Sequence, residues 1–262
     1  LESWLIEHIV IPGGPENPGA WDKLTAILGR TWTHESGAVM QLSKLAIDTG
    51  YEAPAVYAWS RAVGTTQVAP IKGVETFNRA TPVSGPTFVD ATIGGKRLRR
   101  GARLWTIAVS TFKAETYRFL RLERPSDEDR ALGVCDAPGT VHLPSWVDSE
   151  WLKQLVAEQM VTVRNKRGYG HLEWQKMRER NEALDCRVYA RAAAWILGAD
   201  RWDEATWRSL ESQAGVEKKP KAVAIPAAEA PEPQTPSAPT AGAVLTPRRR
   251  RTGAVTPSYL RK

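Results

Sequence analysis

Read for the spacing of its apolar residues, the chain switches repeatedly between a two-residue and a 3.6-residue period. Residues 3–11 (SWLIEHIVI) predict a strand closed by the turn signal PGGPENPG, followed by a helix over about 20–30. LSKLAID (42–48) is a short apolar run ending in an acid, an amphipathic helix spans Ala53–Val63, and QVAPIKG (67–73) predicts a further strand. Residues 74–95, rich in Thr, Pro and Gly, read as loop. GGKRLRRGARLWTIAV then leads into a strand, TFKAETYRFLRL into a helix, and TVHLP (140–144) into a short strand. A helix capped by Asp148 comes next, then a hairpin turning around Gly168 and Gly170, a long helix over 180–198 and a short one near 203–213. Strands that alternate with helices predict an α/β fold with parallel pairs.

From Val216 the pattern ends: Pro and Ala dominate and large apolar residues thin out, which reads as a disordered tail over 216–262 behind a domain over 1–215. The division alters the meaning of the net charge. Residues 217–262 hold nine Lys/Arg against three acids, which accounts for six of the seven net positive charges of the whole chain. The basic balance therefore belongs to the tail, and nucleic-acid affinity in the folded part has to come from local patches. No apolar run is long enough for a membrane span, and the opening LESWLIEHIV has acids where a signal peptide needs a basic region. Both point to a cytoplasmic protein without a membrane partner. Cys135 and Cys186 lack metal-ligand spacing, and His8, His34, His142 and His171 are scattered, so neither a zinc site nor a catalytic triad is indicated.

The candidate chemistry is acidic. Leu184, Val188, Ala192 and Trp195 form one helical stripe, and Asp185 falls at its edge, where an ionised carboxylate needs a partner. Asp48 ends the apolar run 42–48, at the position where open α/β sheets place their ligands. A strand-end Asp facing a helix Asp would make an oxygen site suited to Mg²⁺ or Mn²⁺, with Glu158 as a third acid. The same residues also suit plainer roles: Asp185 as an ion-pair partner of Arg178, Arg187 or Arg191, and Asp48 as a turn former before Thr49-Gly50. Lys72, the run Lys96, Arg97, Arg99, Arg100 and Arg103, and the hairpin residues Arg164, Lys166 and Arg167 beside Tyr169 offer cations for a phosphate backbone.

Six short motifs occur in order: Asp48-Thr49-Gly50, Val56-Tyr57, Ile71-Lys72-Gly73, Thr111-Phe112-Lys113, Val141-His142-Leu143-Pro144, and Arg180-Asn181-Glu182-Ala183-Leu184-Asp185-Cys186. Through them the chain resembles the C-terminal nuclease domain of lambda-type phage terminase large subunits over about residues 2–198. The resemblance implies a ribonuclease-H-like mixed sheet flanked by helices and metal-dependent cutting of concatemeric double-stranded DNA into genome lengths. Asp48 and Asp185 would be site acids, and the small terminase subunit and the capsid portal would be partners in an oligomeric motor. Arg248–Arg251 of the tail would contact DNA or the portal. Family members carry an acid-bearing strand upstream of ESWLIEHIV and often Gly-Thr-Asp-Thr before their Lys, where this chain has Ala108-Val109-Ser110-Thr111. No G-x-x-x-x-G-K-[ST] motif occurs, so ATP chemistry is expected from a domain outside this chain. The other reading is a non-catalytic DNA-binding or portal-docking module on the same fold.

Overall fold

The computed structural model describes residues 2–215, and the 216–262 tail lies outside the described residues. In chain order the elements are β1 (Ser3–Trp4), α1 (Pro18–Leu28), β2 (Thr31–Thr33), β3 (Val39–Gln41), β4 (Leu45–Asp48), α2 (Ala53–Val63), β5 (Val68–Val74), β6 (Val83–Ile93) and β7 (Lys96–Ala108). There follow α3 (Val109–Phe119), α4 (Asp127–Ala131), β8 (Val141–His142), α5 (Ser149–Leu155), β9 (Glu158–Arg164), β10 (Gly170–Lys176), α6 (Glu182–Leu197) and α7 (Glu204–Gln213). The largest sheet runs β4-β5-β7-β6, with β4, β5 and β7 parallel and β6 antiparallel to β7. This is a mixed sheet flanked by helices, as in ribonuclease-H-like domains. None of the described helices is long and apolar enough to cross a membrane.

Side-chain alternation along the strands divides the core between two faces. Ile71 of β5 and Ile107 of β7 pack with Val109 and Phe112 of α3 and with Leu184, Val188 and Ala192 of α6, all buried. On the opposite face Tyr57 of α2 packs with Ala91 and Ala102. Asp148 caps α5 through a bond from the Trp151 N–H, as its position before the helix predicts.

Three segments depart from expectation. Residues 74–95 contain the 11-residue strand β6, not a continuous loop. Gly85, Pro86 and Asp90 hide it in the sequence; an edge strand tolerates them, and the register shifts at Ser84/Thr87 and Val89/Ala91 absorb them. The strand expected over 3–11 is paired only at Ser3–Trp4, against β8, and leaves Ile6 and Val10 exposed. Residues 31–41 form a small hairpin, β2–β3, which no periodicity signalled.

Candidate active site

The C-terminal ends of β4 and β5 and the start of α6 meet at one corner of the sheet. Ala46 packs against the α6 cluster, and Asp48, two residues further along β4, projects on the same face. Asp48 pairs in register with Ile71, which lies in that cluster, so Gly73 and Glu75 further along share its face. From the first turn of α6 comes Asp185. The Thr49 hydroxyl donates to the Ile71 carbonyl at 2.9 Å and fixes the chain just past Asp48.

Asp185 is half-buried, and burial holds its carboxyl above the usual range; the charges of Glu158 and Asp48 push the same way, while Lys113 and Lys176 oppose them. Tyr189, one turn along α6, lies among the acids. Burial raises its phenol most, and Asp48, Asp185 and Glu75 each add to the rise. A β-carbon on Gly73 would come within 3.2 Å of the Tyr189 hydroxyl and 2.9 Å of Val109 Cγ1, so only glycine leaves room for the ring.

Beneath these acids is an ion cluster. Lys113 of α3, its side chain 7% exposed, places Nζ 2.7 Å from Glu158 Oε2 and 3.0 Å from Glu75 Oε1. Burial alone would lower the lysine's pKa; its bonds to Glu158 and Glu75 outweigh that and raise it, so the ammonium stays charged. Ser110 Oγ donates to Glu75 Oε2 at 3.0 Å, and Asn181 Nδ2 donates to Glu158 Oε1 at 3.0 Å. The Glu158 main chain is fixed too, its N–H donating to the Tyr117 hydroxyl and its carbonyl accepting from that hydroxyl. Trp174 of β10 stacks near Tyr117 and donates its indole N–H to the Ser110 carbonyl at 3.3 Å. The β9–β10 hairpin is thus rooted in this cluster.

Of the residues expected from sequence, the structure places Asp48 and Asp185 within electrostatic reach of each other. Glu158 is close by, but both its oxygens are taken by Lys113 and Asn181. Lys72 is exposed, and alternation with Ile71 turns it to the other face of β5. Lys96, Arg97, Arg99 and Arg100 lie at or near the start of β7, far from the acids, and Arg97 is paired with Asp90 at 2.8 Å. Arg164, Lys166 and Arg167 are exposed at the tip of the β9–β10 hairpin. Arg187 and Arg191 do not pair with Asp185: Arg187 donates to Ser3 Oγ, and Arg191 holds Glu115 and Asp200.

Sequence reasoning missed Glu75, the partnership of Lys113 with Glu158, and Tyr189. The one available signal was the Ser110 departure: where relatives often carry Asp, this chain has a hydroxyl that meets a carboxylate supplied from the end of β5.

The donor set fits a hard divalent cation, since the groups it offers are carboxylate oxygens. These acids are not drawn into a tight triad. Among the described residues, the one group of three donors within 4.8 Å is Glu2, Asp136 and His142. That group ties β1 to β8 rather than offering free ligands, because Glu2 contacts His142 at 2.8 Å, Arg130 holds Asp136 at 2.9 Å, and Trp4 stacks on His142.

Residues 1–207 match the family described as terminase large subunit gpA, endonuclease domain. The chain is similar to the terminase large subunit of Escherichia phage lambda, 33% identical over 230 residues, covering 85% of this chain and 33% of that protein. It is likewise similar to the terminase large subunit of Enterobacteria phage P21, 30% identical over 203 residues, covering 77% of this chain and 29% of that protein. The chain thus spans a third or less of the length of these curated relatives. No solved structure matches it.

Proposed function

The chain belongs to the terminase large-subunit endonuclease family, and on that premise we propose that it hydrolyses phosphodiester bonds in double-stranded DNA at the corner formed by β4, β5 and α6. One observation supports the reading: Asp48, Asp185 and Glu75, from elements far apart in sequence, lie within electrostatic reach of the one Tyr189 phenol, and each raises its pKa. Asp48 and Asp185 would hold Mg²⁺ or Mn²⁺, with Glu75 as the third carboxylate: its oxygens are bonded to Lys113 and Ser110, but unlike buried Glu158 it is half-exposed and keeps lone pairs open. The ion would supply Lewis-acid stabilisation of the phosphodiester oxygen and lower the pKa of water. Water would attack phosphorus, the bond to the leaving sugar oxygen would break as that oxygen takes a proton from solvent, and the proton lost by the attacking water would leave to solvent or a carboxylate. Lys113 positions Glu75 and balances the surplus negative charge. Asn181 and Tyr117 hold Glu158 so that Lys113 cannot swing into the cleft.

Ser110 alone would lack the charge that family members often carry at its position. Its bond to Glu75 restores a carboxylate there, which supports the catalytic reading over a docking module. In the phage this activity would cut concatemeric DNA into genome lengths in the host cytoplasm. It would do so within an oligomeric motor that includes the small subunit and portal, with ATP hydrolysed by another domain.

The test is plasmid nicking with Mg²⁺ or Mn²⁺, run beside Asp48→Ala and Asp185→Ala. Metal-dependent nicking that both variants lose supports the assignment. Unaltered nicking by both variants refutes the site, and a folded wild type that does not nick moves the chain to the docking reading.

A further inference from the structure

A second concave site lies beside α2, at the end of β7 away from the acids. Between β6 and β7 the ladder opens at a bulge: Val89 pairs with Ala102 and Ala91 with Leu98, so Asp90 alone faces Arg99, Arg100 and Gly101. Arg100 takes a left-handed φ of +53°, a strained conformation for a non-glycine residue. Asp90 holds it there by accepting the Arg100 N–H at 3.0 Å. Gly101 is required beside it, since a β-carbon would lie 2.9 Å from Leu98 Cβ and 3.0 Å from the Leu98 carbonyl.

The bulge and α2 enclose a cavity of about 310 Å³ lined by Arg61, Arg100, Arg103 and Phe88 among others. The Arg100 and Arg103 guanidinium carbons lie 4.8 Å and 5.5 Å from the Phe88 ring centroid, so an exposed aromatic splints both side chains. Arg61 is steadied by one bond to the Gly101 carbonyl at 3.2 Å. Among the described residues none of the three forms an ion pair, whereas Arg97, next to the bulge, is neutralised by Asp90. No acid lines the cavity. Three guanidiniums without an ion-pair partner around one concavity, two of them splinted by Phe88, match the chemistry of a phosphate group, which accepts several charge-assisted bonds at once.

We propose that this pocket binds a backbone phosphate of DNA and anchors the duplex away from the cleavage site. The choice of DNA rests on the nuclease reading above. Trp105 is the β7 residue level with Ile71 and hence with Asp48, and Arg100 is five residues earlier, about 17 Å along the strand. An anchor there would hold the duplex several base pairs from the scissile bond.

The test is binding of a fluorescein-labelled duplex of about 20 base pairs, followed by anisotropy in EDTA across a salt series, for wild type, Arg61→Gln, Arg103→Gln and the pair. Arg61 and Arg103 are exposed, and unfolding midpoints check that each variant is folded. The pair is expected to weaken binding about tenfold or more and to lower the salt slope by one to two, and each single variant lowers the slope by about one. Slopes and affinities equal to wild type overturn the proposal. Inorganic phosphate and a mononucleotide, titrated in parallel, separate the sources of the ligand: millimolar competition by neither, with the duplex still sensitive to the variants, fits a backbone phosphate held by polymer contacts. Displacement of the duplex by micromolar free phosphate or nucleotide overturns the DNA anchor in favour of a small-molecule site. Because cleavage is silent in EDTA, loss of duplex binding by the arginine variants is read separately from cutting, and plasmid nicking by the wild type tests the nuclease reading by itself.

Discussion

Replacing Lys113 with Met removes the ammonium that bonds both Glu158 and Glu75. The lysine side chain is 7% exposed and that of its main partner Glu158 is 5%, at 2.7 Å. At an effective dielectric of about 20 that contact corresponds to attraction on the order of 6 kcal/mol, against several kcal/mol of desolvation for each ion. The pair itself therefore comes close to break-even. Lys113→Met does not, because it leaves the buried Glu158 carboxyl without its cation and with Asp185 nearby, and the expected loss is about 3–5 kcal/mol. For a domain of this size that lowers the thermal midpoint by about 6–20 °C. The second contact, to half-exposed Glu75, adds at most about 1 kcal/mol. Glu158→Gln is the milder change, since Lys113 keeps Glu75 and Gln can still accept from Asn181. Lys113→Met/Glu158→Gln should recover most of the loss. Urea unfolding of the four proteins, with a double-mutant cycle, measures this directly. A Lys113→Met cost below about 1 kcal/mol, or a double variant no better than Lys113→Met, would refute the account of the cluster.

Other outcomes follow from the same corner. Asp185 has a folded-state pKa above its unfolded value of 3.8, so its contribution to stability is present below that pH and is lost as pH rises through the folded value. Asp185→Asn in EDTA should therefore be more stable than wild type at pH 7 and match it near pH 3, and Mg²⁺ should stabilise wild type but not the variant. Gly73→Ala drives a methyl into Val109 and the Tyr189 hydroxyl; calorimetry should show a loss of about 1–3 kcal/mol, with nicking reduced more than that loss explains. Glu75→Ala should lower nicking about 10–100-fold, and adding Ser110→Asp should restore part of it, which kinetics at saturating plasmid can read.

How much of this could be read from the sequence depended on whether a residue's partner was near it in the chain. The strands at 45–48 and 68–74 and helix α6 show their period within their own span, and Asp48 and Asp185 stand out because each breaks an apolar pattern. Glu75 breaks nothing: it follows a strand as a solvent-side acid would, and only the fold shows Ser110 and Lys113 reaching it from 35 and 38 positions away. Lys113 looks like the polar face of an amphipathic helix until Glu158 is brought against it. β6 escaped notice for the converse reason, since its Gly, Pro and Asp signal a turn and the ladder with β7 overrides them. At residues 5–11 the apolar pattern promised a strand, yet pairing needs a neighbour and only Ser3–Trp4 has one.

The β9–β10 hairpin has a mechanical consequence. Its seven registered pairs span about 20 Å from Lys176↔Glu158 to Gly170↔Arg164, and its root is bolted down by the Glu158 main chain and the Trp174 indole. Such a ribbon is a boom: a load on Arg167 or Tyr169 at the free end is delivered as torque at the fixed end. There it bears on Ser110 and on the carboxylate that clasps Lys113, so a grip on a passing duplex at the tip would be felt as strain in the machinery of the cut.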